Sequence, residues 1–137
     1  MKRRNIIITG ASRGIGFEMV KLLAEQGHKV LALSRNISTL LEVEKTQENV
    51  AVMSVDISIE NQLNKVSKFV NDDWKAVDVL IHNAGAIVNK PFEETSTQEF
   101  LEVYKVNVFA VASLTKIERT VLLMFERLDL HREYRKA

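Results

Sequence analysis

Along this chain, short continuous runs of apolar residues alternate with longer stretches in which apolar residues recur every three or four positions. The first run, Asn5 to Thr9, is rich in β-branched side chains and stops at Gly10, which predicts a buried strand rather than a helix. From Gly14 onward Ile15, Met19, Leu22 and Leu23 fall at helical spacing, predicting a helix that rests on those residues and is capped by Gly27. Val30 to Leu33 predicts a second strand, Leu40 to Glu48 a short helix, and Val50 to Val55 a third strand closing at Asp56. Ser58 is placed to cap the next helix, whose apolar face is Leu63, Val66, Phe69 and Val70, and Val77 to Ile81 predicts strand four. Asn83 to Thr95, with the only proline, Pro91, predicts an irregular loop. Ser96 and Glu99 form a capping box for a helix carrying Phe100, Leu101 and Tyr104. A further long helix is predicted from near Asn107, with Val108, Val111, Leu114, Leu122, Phe125 and Leu128 on one side.

Strands alternating with crossover helices predict an α/β fold, a three-layer Rossmann-type parallel sheet with right-handed connections. The glycine-rich turn after strand one places the switch point between strands one and four, so the expected order is 3-2-1-4. One domain is expected over residues 1–137, with an atypical helical tail at 116–137. Strand four then has an open edge, and self-association is expected through that edge and the final helix.

Composition narrows the function classes. A chain of 137 residues that is 46% hydrophobic and 27% charged has the material for one core. A net charge of +1, with no basic face, argues against dedicated nucleic-acid binding. The apolar stretches are too short for a membrane span and the start lacks a signal-peptide pattern, so no membrane partner and a cytoplasmic location are expected. Without cysteine, and with three scattered histidines, no metal site is expected.

The chemistry gathers in the turn Thr9-Gly10-Ala11-Ser12-Arg13-Gly14-Ile15-Gly16. Its glycines permit a tight turn and close approach of backbone to a pyrophosphate, and the helix that follows offers unpaired N–H groups and a partial positive charge. At the end of strand two, where an acidic residue would bind a ribose 2′-OH, the chain has Ser34-Arg35. Arg35, with Arg13, can pair with a 2′-phosphate, which favours NADP(H) over NAD(H); the other reading of Arg35 is a solvated charge before a turn.

Thr9-Gly10-x-x-x-Gly14-x-Gly16, then Asp56, then Asn83-Ala84-Gly85, then Asn107, in this order, resembles the short-chain dehydrogenases/reductases over residues 5 to about 115. The resemblance implies that Asp56 and Ile57 flank the adenine, the carboxylate accepting from its amino group, and that Asn83, Ala84 and Gly85 lie beneath the cofactor ribose. It implies too that Asn107 is the family's catalytic asparagine, set at a helix irregularity and holding a water of the proton relay. Asp56 has a second reading as an N-cap and Asn107 as a polar residue that kinks a helix. His82, where the family often has another asparagine, is given no catalytic role.

The family's substrate-orienting serine and Tyr-x-x-x-Lys pair have no match here. Tyr104 is followed four positions later by Val108, and Tyr134 by nothing. A truncated, split or frameshifted gene is the expected cause: read one base later, His131 to Lys136 permits Ile-Val-Asn-Ile-Gly, close to the family's next strand. The expected function is therefore an NADP(H)-binding oxidoreductase domain of carbonyl/alcohol chemistry, inactive alone. The alternative is a non-catalytic interaction or fold-model protein with no cofactor role.

Overall fold

A computed structural model describes residues 2–117. Four parallel strands, β1 (Asn5–Thr9), β2 (Lys29–Ser34), β3 (Val50–Ser54) and β4 (Val79–Ile81), form one sheet in the order β3-β2-β1-β4. Between and after them lie α1 (Gly14–Glu25), α2 (Ser38–Thr46), α3 (Glu60–Phe69), α4 (Thr97–Tyr104) and α5 (Ala110–Ile117). The expected order and parallel architecture are both present.

Strands covered on both faces must be apolar at successive positions, and β1 shows why. Ile6 and Ile8 point to one face, where they pack with Val20 and Ala24 of α1 and Leu40 and Val43 of α2. Ile7 points to the other, packing with Leu31, Leu33, Leu63 and Val66 of α3, and Leu114 of α5. Full burial of such a side chain contributes about 1.5–3 kcal/mol, so neither face tolerates a polar replacement cheaply.

The buried face of α1 differs from the expected one. Gly16, Val20 and Ala24 meet the sheet, with Phe17, Met19 and Leu23 packed alongside. Ile15 is 75% exposed and Leu22 54%. Helical spacing alone allowed several stripes; the close approach of α1 to the sheet selects the one made of its smallest residues. The C-terminus of α1 matches expectation: Gly27 has φ +84°, its N–H donates to the Ala24 carbonyl, and the His28 N–H donates to the Leu23 carbonyl.

Five other boundaries differ from expectation. β4 starts at Val79 rather than Val77, because the Asp78 carboxylate accepts the Asn5 N–H at 2.7 Å in place of a further ladder bond. β3 ends at Ser54, and α2 starts earlier, at Ser38, whose N–H and hydroxyl both donate to Asn36 Oδ1. Ser58 caps nothing: α3 begins at Glu60 without a side-chain cap, and Ser58 instead donates both its N–H and its hydroxyl back to Asp56 Oδ1. The helix expected to start near Asn107 is no new start. Lys105–Phe109 form a π-helical turn joining α4 to α5 without leaving helical geometry.

Among the described residues no strand pairs with the outer side of β4. No helix there is long and apolar enough to cross a membrane. The tail beyond residue 117, with Leu122, Phe125, Leu128 and Tyr134, lies outside the described residues.

Candidate functional site: a cleft at the carboxyl ends of the strands

A cleft of about 640 Å³ opens where β1, β2, β3 and β4 end. Parallel α/β sheets bind ligands in this place because helix N-termini and strand-end loops converge on it. One wall is the glycine turn with Ser34 and Arg35; another is Val55–Ser58; a third is Asn83–Val88; α4 closes it with Glu99, Glu102 and Val103, joined by Val106 of the π-helical turn that follows.

The glycines divide by what requires them. Gly10 has φ +65°, and a Cβ there would stand 2.8 Å from Ala84 Cα. A Cβ at Gly16 would collide with Asn83 Nδ2 and the Gly10 carbonyl. These two are demanded by the packing of β1, α1 and the β4 loop. Gly14 has φ +57° but open space around any added Cβ, and it borders the cleft. α1 then starts behind Arg13 with no side-chain cap and no acidic residue in its first turn, leaving its N–H groups and partial positive charge uncompensated at the cleft. That is a cradle for an anionic group.

The turn is tied down from several sides. The Ala11 N–H donates to the Leu33 carbonyl at 3.1 Å, and Thr39 Oγ1 donates to the Ser12 carbonyl at 2.7 Å. Asn83 Nδ2 donates to the carbonyls of Thr9 and Gly10, both at 3.1 Å. Thr9, 1% exposed, accepts the N–H groups of Asn83 and Ala84 on its Oγ1. The Asn83 N–H also reaches the Ile81 carbonyl, whereas among the described residues the Ala84 N–H donates to the Thr9 hydroxyl alone. Thr9→Val is therefore expected to cost toward the lower end of about 1–3 kcal/mol, one unmet donor at the cleft edge. A urea midpoint equal to that of the unmodified protein would contradict it.

Arg13, Ser34 and Arg35 border the cleft, and among the described residues neither arginine forms an ion pair. Asp56, Ile57, Asn83, Ala84 and Gly85 border it as well. Gly16 is buried behind the turn, and Ile15 points to solvent. Asn107 stands behind the loop: its Oδ1 accepts the Ala86 N–H and its Nδ2 donates to the Ala86 carbonyl, both at 2.8 Å. These two bonds make the Asn107 side chain a clamp on the 83–88 wall, and the residue itself sits in the helix irregularity Lys105–Phe109. His82 Nε2 lies 2.9 Å from Thr115 Oγ1, joining β4 to α5, and desolvation pushes its pKa down.

Sequence reasoning missed the α4 wall, Thr9 as a hub and Gln62, whose Oε1 accepts the Asp56 N–H at 2.7 Å. The helical periodicity of α4 marks which residues share a face; it carries no sign that this face meets a cleft. Glu99 was expected only as a capping residue. The capping box is present, with the Glu99 N–H donating to Ser96 Oγ and the Ser96 N–H to Glu99 Oε2, and Glu99 also pairs with Lys90 at 2.7 Å. The Lys90 hydrogen bond, followed by those from Ser96, lowers the Glu99 carboxyl to about 2. Because the folded value lies below the ordinary one, this stabilisation is complete above about pH 4.5 and is lost as pH falls toward about 2. Glu99→Gln is expected to flatten the fall in urea midpoint across that window; an unchanged slope would contradict the pairing.

Among the described residues no cluster of three or more histidine or acidic side chains is arranged to hold a metal. The uncompensated α1 N-terminus, the open space at Gly14 and the two arginines without an ion pair among the described residues fit a dinucleotide.

The short chain dehydrogenase profile matches residues 4–125. A probable short-chain type dehydrogenase/reductase of Helicobacter pylori is 36% identical over 111 residues, which cover 81% of this chain and 40% of that protein. A probable NADP-dependent dehydrogenase of Dichelobacter nodosus is 32% identical over 104 residues, 74% of this chain and 98% of that one. Among solved structures, an alcohol dehydrogenase from the archaeon Thermococcus sibiricus complexed with 5-hydroxy-NADP aligns with a TM-score of 0.79 at 32% identity, covering 88% of this chain and 54% of that chain. The chain thus spans about half or less of the length of the Helicobacter and archaeal proteins. With the ordered glycine, aspartate and asparagine motifs meeting around one cleft, the chain belongs to the short chain dehydrogenase family.

Proposed function

We propose that this chain binds NADP(H) in the strand-end cleft and supplies the nucleotide-binding part of an oxidoreductase acting between carbonyls and alcohols. The observation that carries the proposal is the uncapped N-terminus of α1 opening onto the cleft beside two unpaired arginines. Gly10, Ser12, Gly14, Ile15 and Gly16 form the pyrophosphate turn, backbone amides and helix dipole meeting the charge. Ser34 and Arg35, with Arg13, take the 2′-phosphate; Asp56 and Ile57 border the adenine; Asn83, Ala84 and Gly85 underlie the ribose. NADP(H), when bound, supplies the hydride. Asn107 holds the 83–88 wall in place through Ala86 and is the one residue of the family's catalytic set with a counterpart here.

Proton delivery to a carbonyl oxygen needs a positioned acid, whose loss costs about 10²–10⁴ in rate. The 137-residue sequence has no Tyr-x-x-x-Lys, so the chain by itself is expected to bind and not to turn over. Self-association through the open β4 edge and the expected final helix belongs to the same proposal, and a strict monomer in sedimentation would remove that part. Thermal unfolding with NADPH tests the whole: ligand at a hundred times its Kd adds about 2.7 kcal/mol. No shift at saturating NADPH would overturn the proposal.

A further inference from the structure

We infer that Glu102 on α4, facing the cleft across from Asp56, is a specificity residue that reads the 6-amino group of the bound purine and makes the cleft select adenine over 6-oxo purines. Resting as it does on the NADP(H) reading above, the inference starts from where the base must lie. If Arg35 at the end of β2 holds the 2′-phosphate, the base on the same ribose has to extend past a neighbouring strand end. The strand beside β2 on the side away from the glycine turn is β3. There the cleft is lined by Val55 and Ile57 from the β3 loop and by Val103 of α4 and Val106 of the π-helical turn after it, an apolar lining of the kind that receives a flat ring. Two acidic residues border it, Asp56 from the β3 loop and Glu102 from α4.

The hydrogen bonds leave each carboxylate half spent. Asp56 Oδ1 accepts the N–H and hydroxyl of Ser58 at 2.9 and 2.6 Å, and no partner is found for Oδ2 among the described residues. Glu102 Oε1 accepts from Gln98 Nε2 at 2.6 Å and Lys105 Nζ at 2.8 Å, and Oε2 likewise has none there. The Lys105 hydrogen bond keeps the Glu102 carboxyl below its ordinary value, and Glu102 and Asp56 both line the one cleft. A carboxylate offers acceptors and no donor. Phosphate is therefore repelled from this end of the cleft and drawn to Arg13 and Arg35. The exocyclic amine of adenine carries two N–H donors and can give one to each carboxylate. A 6-oxo purine presents a carbonyl oxygen at the same place, which two carboxylates repel.

The test compares NADPH with its hypoxanthine analogue in calorimetric titrations of the 137-residue protein and of Glu102→Gln. In the unmodified protein the analogue is expected to bind at least about tenfold more weakly, since its 6-oxygen meets acceptors where the amine met charge-assisted partners. The glutamine amide can turn its NH₂ toward a 6-oxygen, so Glu102→Gln is expected to shrink that ratio severalfold while still binding NADPH. Equal affinities for the two ligands in the unmodified protein, or an unchanged ratio in Glu102→Gln, would overturn the role of Glu102. Failure of both ligands to bind would instead strike at the NADP(H) reading, and is recognisable because the unmodified protein would give no heat with either.

Discussion

Gly16→Ala is expected to lower stability by about 1.5–6 kcal/mol and to remove saturable NADPH binding at the same time. The methyl group would enter the space of Asn83 Nδ2 and of the Gly10 carbonyl, one of them a backbone atom that cannot rotate aside. Overpacking of this kind costs about 1–3 kcal/mol. Asn83 would also have to release one or both of its hydrogen bonds to the Thr9 and Gly10 carbonyls, each worth about 0.5–1.5 kcal/mol. Because those bonds couple the glycine turn to the wall formed by Asn83–Gly85, displacement at Gly16 moves two sides of the cleft together. Urea unfolding and an NADPH titration on the same sample check both effects. A variant with unchanged midpoint and affinity would mean that α1 can move away from the sheet without consequence. Gly14→Ala provides a contrast: no neighbour stands within 4 Å of its added Cβ, so its cost is confined to the left-handed backbone at φ +57° and to the ligand.

Arg35→Asp is expected to cost NADPH about ten- to hundredfold in affinity while leaving NADH little changed or improved. One charge-assisted contact is worth about 1.5–3 kcal/mol, and the substituted carboxylate adds repulsion toward a 2′-phosphate while offering an acceptor to a 2′-OH. Arg35 is exposed and its carbonyl accepts from Ser54 Oγ at 3.0 Å, a backbone contact the substitution retains. The fold should therefore survive, and the ratio of the two affinities isolates the side chain. A preference for NADPH that persists in Arg35→Asp would move the phosphate contact to another group, with Arg13 the first to replace.

The backbone plan was legible because each strand is apolar on both faces and each crossover has helical periodicity. The capping box at Ser96 and the Schellman turn at Gly27 rest on interactions within a few residues, and these were readable to the residue. Errors came where a distant partner decided. The buried stripe of α1 depends on Asn83, far along the chain, which forces the smallest residue, Gly16, against the sheet and turns Ile15 outward. Ser58 is the local exception: its type and position suit a cap, but Asp56 two residues earlier claims its donors. The site followed the same rule. Gly10, Gly14, Arg13, Arg35, Asp56 and Asn83–Gly85 lie at strand ends, where topology alone brings them to one cleft. Glu102, Val103 and Val106 reach that cleft only through the way α4 lies over the loop, and Asn107 shows its clamp on Ala86 only in three dimensions.

Direct titration of the unmodified 137-residue protein with NADPH and NADH, followed by calorimetry at one salt concentration, tests the central claim. Saturable binding of one NADPH per chain, about tenfold or more tighter than NADH, is the predicted result. No saturable heat with NADPH, or equal affinity for the two cofactors, would contradict it.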